Sequence, residues 1–243
     1  MIFSGFMVKG LFQTLSEKGG LPSWLFIVFT IFCIAIPYLL GSLNFAVIIS
    51  NLKYKDDIRN HGSGNAGATN MLRTFGKRAA AFTFLGDILK SMVSVVFGCF
   101  LLGLTMGGHM AAFFCMLGHM FPVFYKFKGG KGVATSIAAI FLLNPFVALI
   151  MILVFVIIVA GTKYVSLGSV MAALIYPVLL NRINEITAGW FIANDTLWGF
   201  DGIFSFLMMA MVVYMHKGNI KRIIAGTESK ISLGKKKKEQ NDE

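Results

Sequence analysis

Three short polar clusters hold the residue types that can handle a phosphorylated substrate. The first runs from Arg59 to Arg73 and reads Arg-Asn-His-Gly-Ser-Gly-Asn-Ala-Gly-Ala-Thr-Asn-Met-Leu-Arg. Gly62, Gly64 and Gly67 let the backbone approach a ligand closely and turn several N–H groups toward one anion. Ser63, Asn65, Thr69 and Asn70 add neutral hydrogen-bonding groups, while Arg59 and Arg73 bring permanently charged planar forks that match phosphate oxygens. The competing structural reading is a tight turn whose small residues let membrane helices approach each other. So many hydroxyl, carboxamide and guanidinium groups in fifteen residues favour an oxyanion site.

The second cluster is Lys126-Phe-Lys128-Gly129-Gly130-Lys131-Gly132-Val-Ala-Thr135. Glycines and lysine ahead of a helix start make another phosphate seat. It is not a Walker A loop, because Tyr125 stands where the first glycine belongs and Gly132 follows Lys131 in place of Ser or Thr. The plain alternative is a basic, glycine-flexed membrane turn. The third cluster runs from His216 to Glu228, with His216 and Asn219 spaced to share one helical face.

Other candidates carry less. Gly62-Ser-Gly64-Asn-Ala-Gly67 spells G-x-G-x-x-G, with Asp87 twenty residues on, but a dinucleotide site needs a preceding strand and a βαβ unit. An apolar span and a charged turn precede it instead, so that reading is rejected. Asp87 and Lys90, three apart in an apolar run, read as a mutual ion pair. His109 and His119 flank an apolar run and read as packing or interfacial histidines. No His/Asp/Glu group has metal-ligand spacing, so no metal is expected. Five positions after His61, His109, His119 and His216 stand Ala66, Phe114, Phe124 and Lys221, so no histidine opens a His-x-x-x-x-Asp acid–base motif.

The elements that must position these clusters are membrane helices. Of 243 residues 56% are hydrophobic and 14% charged, with mean hydropathy +0.75; soluble domains carry about 25% charge. The fold class is all-α, polytopic, with seven spans near 24–52, 79–105, 109–125, 132–143, 145–161, 165–180 and 198–216. Pro37 offers a bend in the first. The fourth reaches only ~18 Å against a ~30 Å hydrocarbon core, which fits a short buried helix broken from the next by Asn144-Pro145. With the N-terminus outside, inner connectors hold eighteen of twenty-two Lys/Arg: six at 53–78, three at 126–131, Lys163, and eight from Lys217 onward. That places the C-terminus and all three clusters on the cytoplasmic side. Merging segments into five spans keeps the same ends.

Residues 1–20 read as an interfacial segment, 21–231 as the membrane domain and 232–243 as a basic, disordered tail drawn to anionic lipid. The 181–201 connector, with Trp190 and Trp198 and no lysine, reads as an external loop. Cys33, Cys99 and Cys115 lie in apolar segments and read as packing residues. The net charge of +11 is confined to connectors and tail, so nucleic acid is not an expected partner.

Taken together, Gly41-Ser42, Arg59-x-x-Gly-Ser-Gly-Asn-x-Gly-Ala-Thr-Asn-x-x-Arg73, Lys128-Gly-Gly-Lys-Gly-Val-Ala-Thr135 and His216-x-x-Asn219…Gly226-Thr-Glu228 resemble the bacterial acyl-phosphate:glycerol-3-phosphate acyltransferase family, PlsY, over residues 24–231. Asn44 stands where that family usually has proline, Gly168-Ser169 replaces a more usual Ser-Ser, and the N-terminal, 181–201 and C-terminal stretches are longer. The resemblance implies transfer of an acyl group from acyl phosphate to the sn-1 hydroxyl of glycerol 3-phosphate, giving lysophosphatidic acid and phosphate, the first step of phospholipid synthesis. It implies no cofactor, a bacterial cytoplasmic membrane, and a substrate phosphate as acceptor of the hydroxyl proton. Ser63, Arg73, His216 and Asn219 are the implied catalytic residues. Gly62, Gly64, Asn65, Thr69, Asn70, Lys128, Gly129, Gly130, Lys131 and Gly132 are the implied substrate-binding ones, with the Gly129–Gly132 loop associated with glycerol 3-phosphate. A transporter of a phosphorylated solute is the alternative, but its site would sit at mid-membrane between broken helices.

Overall fold

The computed structural model describes residues 2–19, 22–187 and 199–231, and every regular element within them is helical. Helices satisfy their own backbone groups, which a bilayer requires. Helix α1 (Ile2–Gly19) breaks at Gly10, where the backbone lies directly on Gly103. Helix α2 (Ser23–Ser42) stays helical through Pro37, so the bend expected there is not where the chain is interrupted. The interruption falls at Leu43-Asn44, because Asn44 Oδ1 accepts the Val47 N–H (3.2 Å) and starts a new helix, α3 (Phe45–Tyr54).

Helix α4 (Ala68–Leu102) begins earlier than the expected boundary near 79. Gly76, at φ 85° and ψ −175°, divides it into a short stretch carrying Thr69, Asn70 and Arg73 and a long apolar one. The chain reverses through a π-helical turn at 103–108 and returns as α5 (His109–Met120), which brings Lys90 beside His119. Helix α6 (Val133–Leu143) is as short as expected. Asn144 caps α7 (Pro145–Thr162) through the Val147 N–H (3.2 Å), with Pro145 in its first turn. Helices α8 (Val165–Thr187), α9 (Phe200–Met215) and α10 (Lys217–Ile224) complete the described chain.

Among the described residues, four helical segments are long and apolar enough to cross a membrane: 23–54, 68–125, 145–162 and 165–186. The second contains the α4–α5 hairpin, and α9 with α10, bent by 55°, makes a fifth. Length and apolarity therefore pick out four or five such segments among the described residues. Each of the seven expected stretches nevertheless contains a helix, the first being broken at Leu43-Asn44 and the third ending in a short 3-10 turn after Phe121-Pro122.

Val95, Cys99, Met116, Ile140, Val147, Tyr176 and Met208 belong to the central core. A smaller core of Ala46, Val47, Ile58, Ala66 and Met71 lies under the first polar cluster, so that loop has its own apolar floor. Outward faces carry exposed Ile27, Phe82, Leu89, Leu153 and Ile157, which in a membrane protein meet lipid. The three cysteines are buried and unpaired, each acting as packing. The greater part of the 181–201 connector, residues 188–198 with Trp190 and Trp198, and the tail from 232 lie outside the described residues.

Candidate active site

The first loop is closed by its own polar residues. Asp57 Oδ1 accepts the Arg59 N–H (2.9 Å) and opens a short 3-10 turn. The same carboxylate takes Arg59 Nε (3.0 Å) and Nη2 (2.6 Å), and these hydrogen bonds hold the Asp57 carboxyl below its usual range. Arg59 Nη1 crosses to the Tyr125 carbonyl (2.8 Å). Arg59 is thus a brace between two clusters, its fork already occupied.

Asn70 is buried, and its carboxamide is fully used within the loop. Nδ2 donates to the carbonyls of Ile58 (3.2 Å) and His61 (2.9 Å), and Oδ1 accepts the Ser63 N–H (3.1 Å). Gly62 and Gly64 both take left-handed backbone, at φ 56° and 69°. A Cβ on Gly62 would lie 2.3 Å from Asn70 Oδ1, so only glycine permits the closure. The loop's outward surface presents Ser63, Thr69 and Arg73, all exposed, with Asn65 partly buried.

The second loop is folded back onto the end of α5. Gly129 N–H donates to the Met120 carbonyl (3.2 Å) and Gly130 N–H to that of His119 (3.0 Å). Gly130 is wedged between the loops: a Cβ there would lie 2.0 Å from His119 Nε2 and 2.8 Å from the Ala66 carbonyl. Lys128 is exposed. Gly132 stands at the start of α6, where its carbonyl accepts from Thr135 Oγ1 (2.9 Å) and Ser136 N–H (2.8 Å).

Lys131 carries the second loop to the third cluster, with Nζ donating to Asn219 Oδ1 (2.5 Å). Asn219 Nδ2 then donates to Ser166 Oγ (2.7 Å) and Glu228 Oε1 (2.6 Å). Glu228 also accepts from Ser166 Oγ (2.5 Å) and Arg222 Nε (2.7 Å). Burial pushes the Glu228 carboxyl up, but these hydrogen bonds outweigh it and hold the group below its ordinary range. For Lys131, burial and the nearby Arg222 and Arg73 charges outweigh Glu228 and lower the ammonium to about 8. His216 is buried and its Nδ1–H donates to the Val212 carbonyl (2.8 Å), which in the neutral ring leaves Nε2 as the acceptor.

All three clusters therefore meet at one end of the bundle, the end away from the 103–108 turn and α1. Two of the assigned residues have internal duties: Asn70 seals the first loop, and Asn219 links Lys131 to Glu228. Ser166 had no signal in the sequence; it enters only because α8 starts beside α10. Asp87 and Lys90 form the expected pair, at 2.9 Å, inside the bundle. The chemistry this arrangement suits is the holding of two anionic groups by backbone N–H groups, hydroxyls and two cations, beside a His61–Asp56 pair (Nε2 to Oδ2, 2.6 Å) in the first loop.

Comparison with known proteins finds clear relatives of this chain. Residues 31–226 match the glycerol-3-phosphate acyltransferase family. A glycerol-3-phosphate acyltransferase of Thermoanaerobacter pseudethanolicus is 43% identical over 196 residues, covering 81% of this chain and 92% of that protein. The crystal structure of PlsY (YgiH), an integral membrane glycerol 3-phosphate acyltransferase, in its glycerol 3-phosphate form is similar with a TM-score of 0.71. It is 34% identical, over 84% of this chain and 96% of that one. The lysophosphatidic acid form of that enzyme gives 0.69 at 33% identity, over 84% and 95%.

Proposed function

Because the chain belongs to the glycerol-3-phosphate acyltransferase family, we propose that its acyl donor is an acyl phosphate and its acceptor the sn-1 hydroxyl of glycerol 3-phosphate. The protein is a membrane glycerol-3-phosphate acyltransferase. In the proposed reaction the hydroxyl oxygen bonds to the acyl carbonyl carbon and the carbon–oxygen bond to phosphate breaks. The hydroxyl proton leaves with a phosphate oxygen of the substrate, and the products are lysophosphatidic acid and inorganic phosphate. A mixed anhydride has a good leaving group, so a strong protein acid is not required.

The convergence of two cation-bearing glycine loops at one end of the bundle carries the reading, because both substrates are phosphates. The first loop, with Ser63, Thr69 and the backbone of Gly62, Gly64 and Asn65, faces the reacting groups, and Arg73 takes up the charge that develops on phosphate. Asn70 serves by fixing the loop's shape. The second loop, Lys128 to Gly132, holds glycerol 3-phosphate, with Lys131 as its cation. His216 and Asn219 close the site from α9 and α10, Asn219 by aiming Lys131. The acyl tail lies in lipid between helices. The enzyme sits in the bacterial cytoplasmic membrane, its seven embedded helices arranged with the N-terminus outside and the three clusters on the cytoplasmic side.

Purified protein incubated with a long-chain acyl phosphate and glycerol 3-phosphate should release lysophosphatidic acid and inorganic phosphate in equal amounts, undiminished by EDTA. Turnover with acyl-CoA in place of acyl phosphate would overturn the assignment of the donor.

A further inference from the structure

Four polar atoms surround one buried ammonium in the middle of the bundle. Lys90 Nζ donates to the carbonyls of Gly41 (3.0 Å) and Leu43 (2.8 Å), lies 3.0 Å from His119 Nδ1 and is 2.9 Å from Asp87 Oδ1. Neutralising a lysine inside a span needs only the carboxylate one turn away. The other three contacts are surplus to charge balance, and each leads toward the active site.

Gly41 and Leu43 are the end of α2, where the last carbonyls of a helix lack intrahelical partners, so the ammonium caps that end. Beside them Asn44 bridges the break. Its Oδ1 starts α3 and its Nδ2 reaches the Ala66 carbonyl of the first loop (3.4 Å). On the other side, His119 Nδ1 lies 3.0 Å from Lys90 Nζ and 3.4 Å from Asp87 Oδ1, and its Nε2 faces Gly130. The His119 carbonyl also accepts the Gly130 N–H, and Gly130 lies against Ala66. The contacts close into a ring: Lys90 to the end of α2, through Asn44 to Ala66, across to Gly130, into His119 and back to Lys90.

We infer that Lys90 is a positioning residue for acyl transfer, its ammonium setting the spacing of the two glycine loops through the α2–α3 break and His119. The inference rests on the reading that those loops hold the two substrates' phosphates. Asp87 balances the buried cation, and Lys90 connects that pair to the supports of both loops.

Lys90→Met and Asp87→Asn, compared singly and together, separate positioning from charge balance. If Lys90 only balances Asp87, removing both charges restores the wild-type enzyme. Positioning predicts that the double variant recovers a melting temperature close to wild type while kcat/KM for glycerol 3-phosphate stays lower by roughly 10- to 100-fold. Amide hydrogen exchange at 61–70 and 128–132 should be faster, with α7 and α8 unchanged. Wild-type kcat/KM and loop protection in the double variant would overturn the inference. Should the double variant not fold, His119→Asn decides in its place. Its Oδ1 keeps an acceptor for Lys90 but removes the ring from Gly130, so faster loop exchange and reduced kcat/KM are expected, and no change in either overturns it. Loop exchange needs no acyl donor, so an error about the donor would show separately, as wild-type protein without turnover on acyl phosphate.

Discussion

Lys131 Nζ and Asn219 Oδ1 are 2.5 Å apart although 88 positions separate them in the chain. The bond fixes which way the Asn219 carboxamide points, because a lysine can only donate. Its Nδ2 is thereby turned to Ser166 and Glu228.

Asn219→Asp tests that orientation. A carboxylate there keeps the acceptor for Lys131 but loses both donations and sets a second negative group beside Glu228 Oε1. Stability should fall by about 1–3 kcal/mol, and KM for glycerol 3-phosphate should rise because Lys131 gains a competing anion. Thermal unfolding and initial rates read the two effects. A melting temperature equal to wild type would mean that the carboxamide is not held as described.

Arg73 and Lys131 should separate kinetically. Arg73 is exposed on its loop, and a guanidinium can form the paired bonds to phosphate that a lysine cannot. Arg73→Lys should lower kcat more than it raises KM, by roughly 30- to 1,000-fold for a contact of ~2–4 kcal/mol made in the transition state. Lys131→Ala should mainly raise KM for glycerol 3-phosphate. Near-normal turnover in Arg73→Lys would place the catalytic charge elsewhere.

The pH dependence follows from Lys131. Its ammonium, lowered to about 8 by burial, carries charge below that pH and loses it above, so kcat/KM for glycerol 3-phosphate should fall as pH rises through 8. A phosphate monoester has its second ionisation near ~6, so the substrate does not cause this limb. Lys131→Arg should move the limb to higher pH, and a limb unmoved in that variant assigns it to another group. For stability the sign is opposite. The folded protein holds this proton less tightly than the unfolded chain, whose ordinary value is 10.5, so Lys131 contributes a gain in stability between about 8 and 10.5.

Topology is tested with single cysteines at exposed positions, read in intact cells with a membrane-impermeant thiol reagent. Glu185→Cys should label from outside, whereas Asn60→Cys and Lys230→Cys should not. Outside labelling at position 60 would move the whole site to the other face of the membrane.

Much of this protein is local and therefore legible in a linear sequence. Apolar runs become helices wherever they occur, since the backbone has no other way to satisfy itself in lipid. Asn144-Pro145 starts a helix through bonds that reach three residues ahead, and the glycines at 62 and 64 take left-handed backbone on their own account. The three polar clusters could be read as anion seats from residue types alone. What each residue does with its polar atoms could not. Asn70 sits among the loop's candidates for substrate contact, yet its carboxamide is spent on Ile58, Ser63 and His61, because the loop curls around it. Arg59 is as good a fork as Arg73 in the sequence, but Asp57 and the Tyr125 carbonyl take it. Asp87 with Lys90 was readable as a pair. The bonds from Lys90 to Gly41, Leu43 and His119 were not, because they depend on where α2 stops and how α5 lies against α4. Ser166 shows the same limit, being one serine among many until α10 folds onto the start of α8. Hydrogen bonds act over about 3 Å, and only tertiary packing decides which distant acceptor comes within that reach.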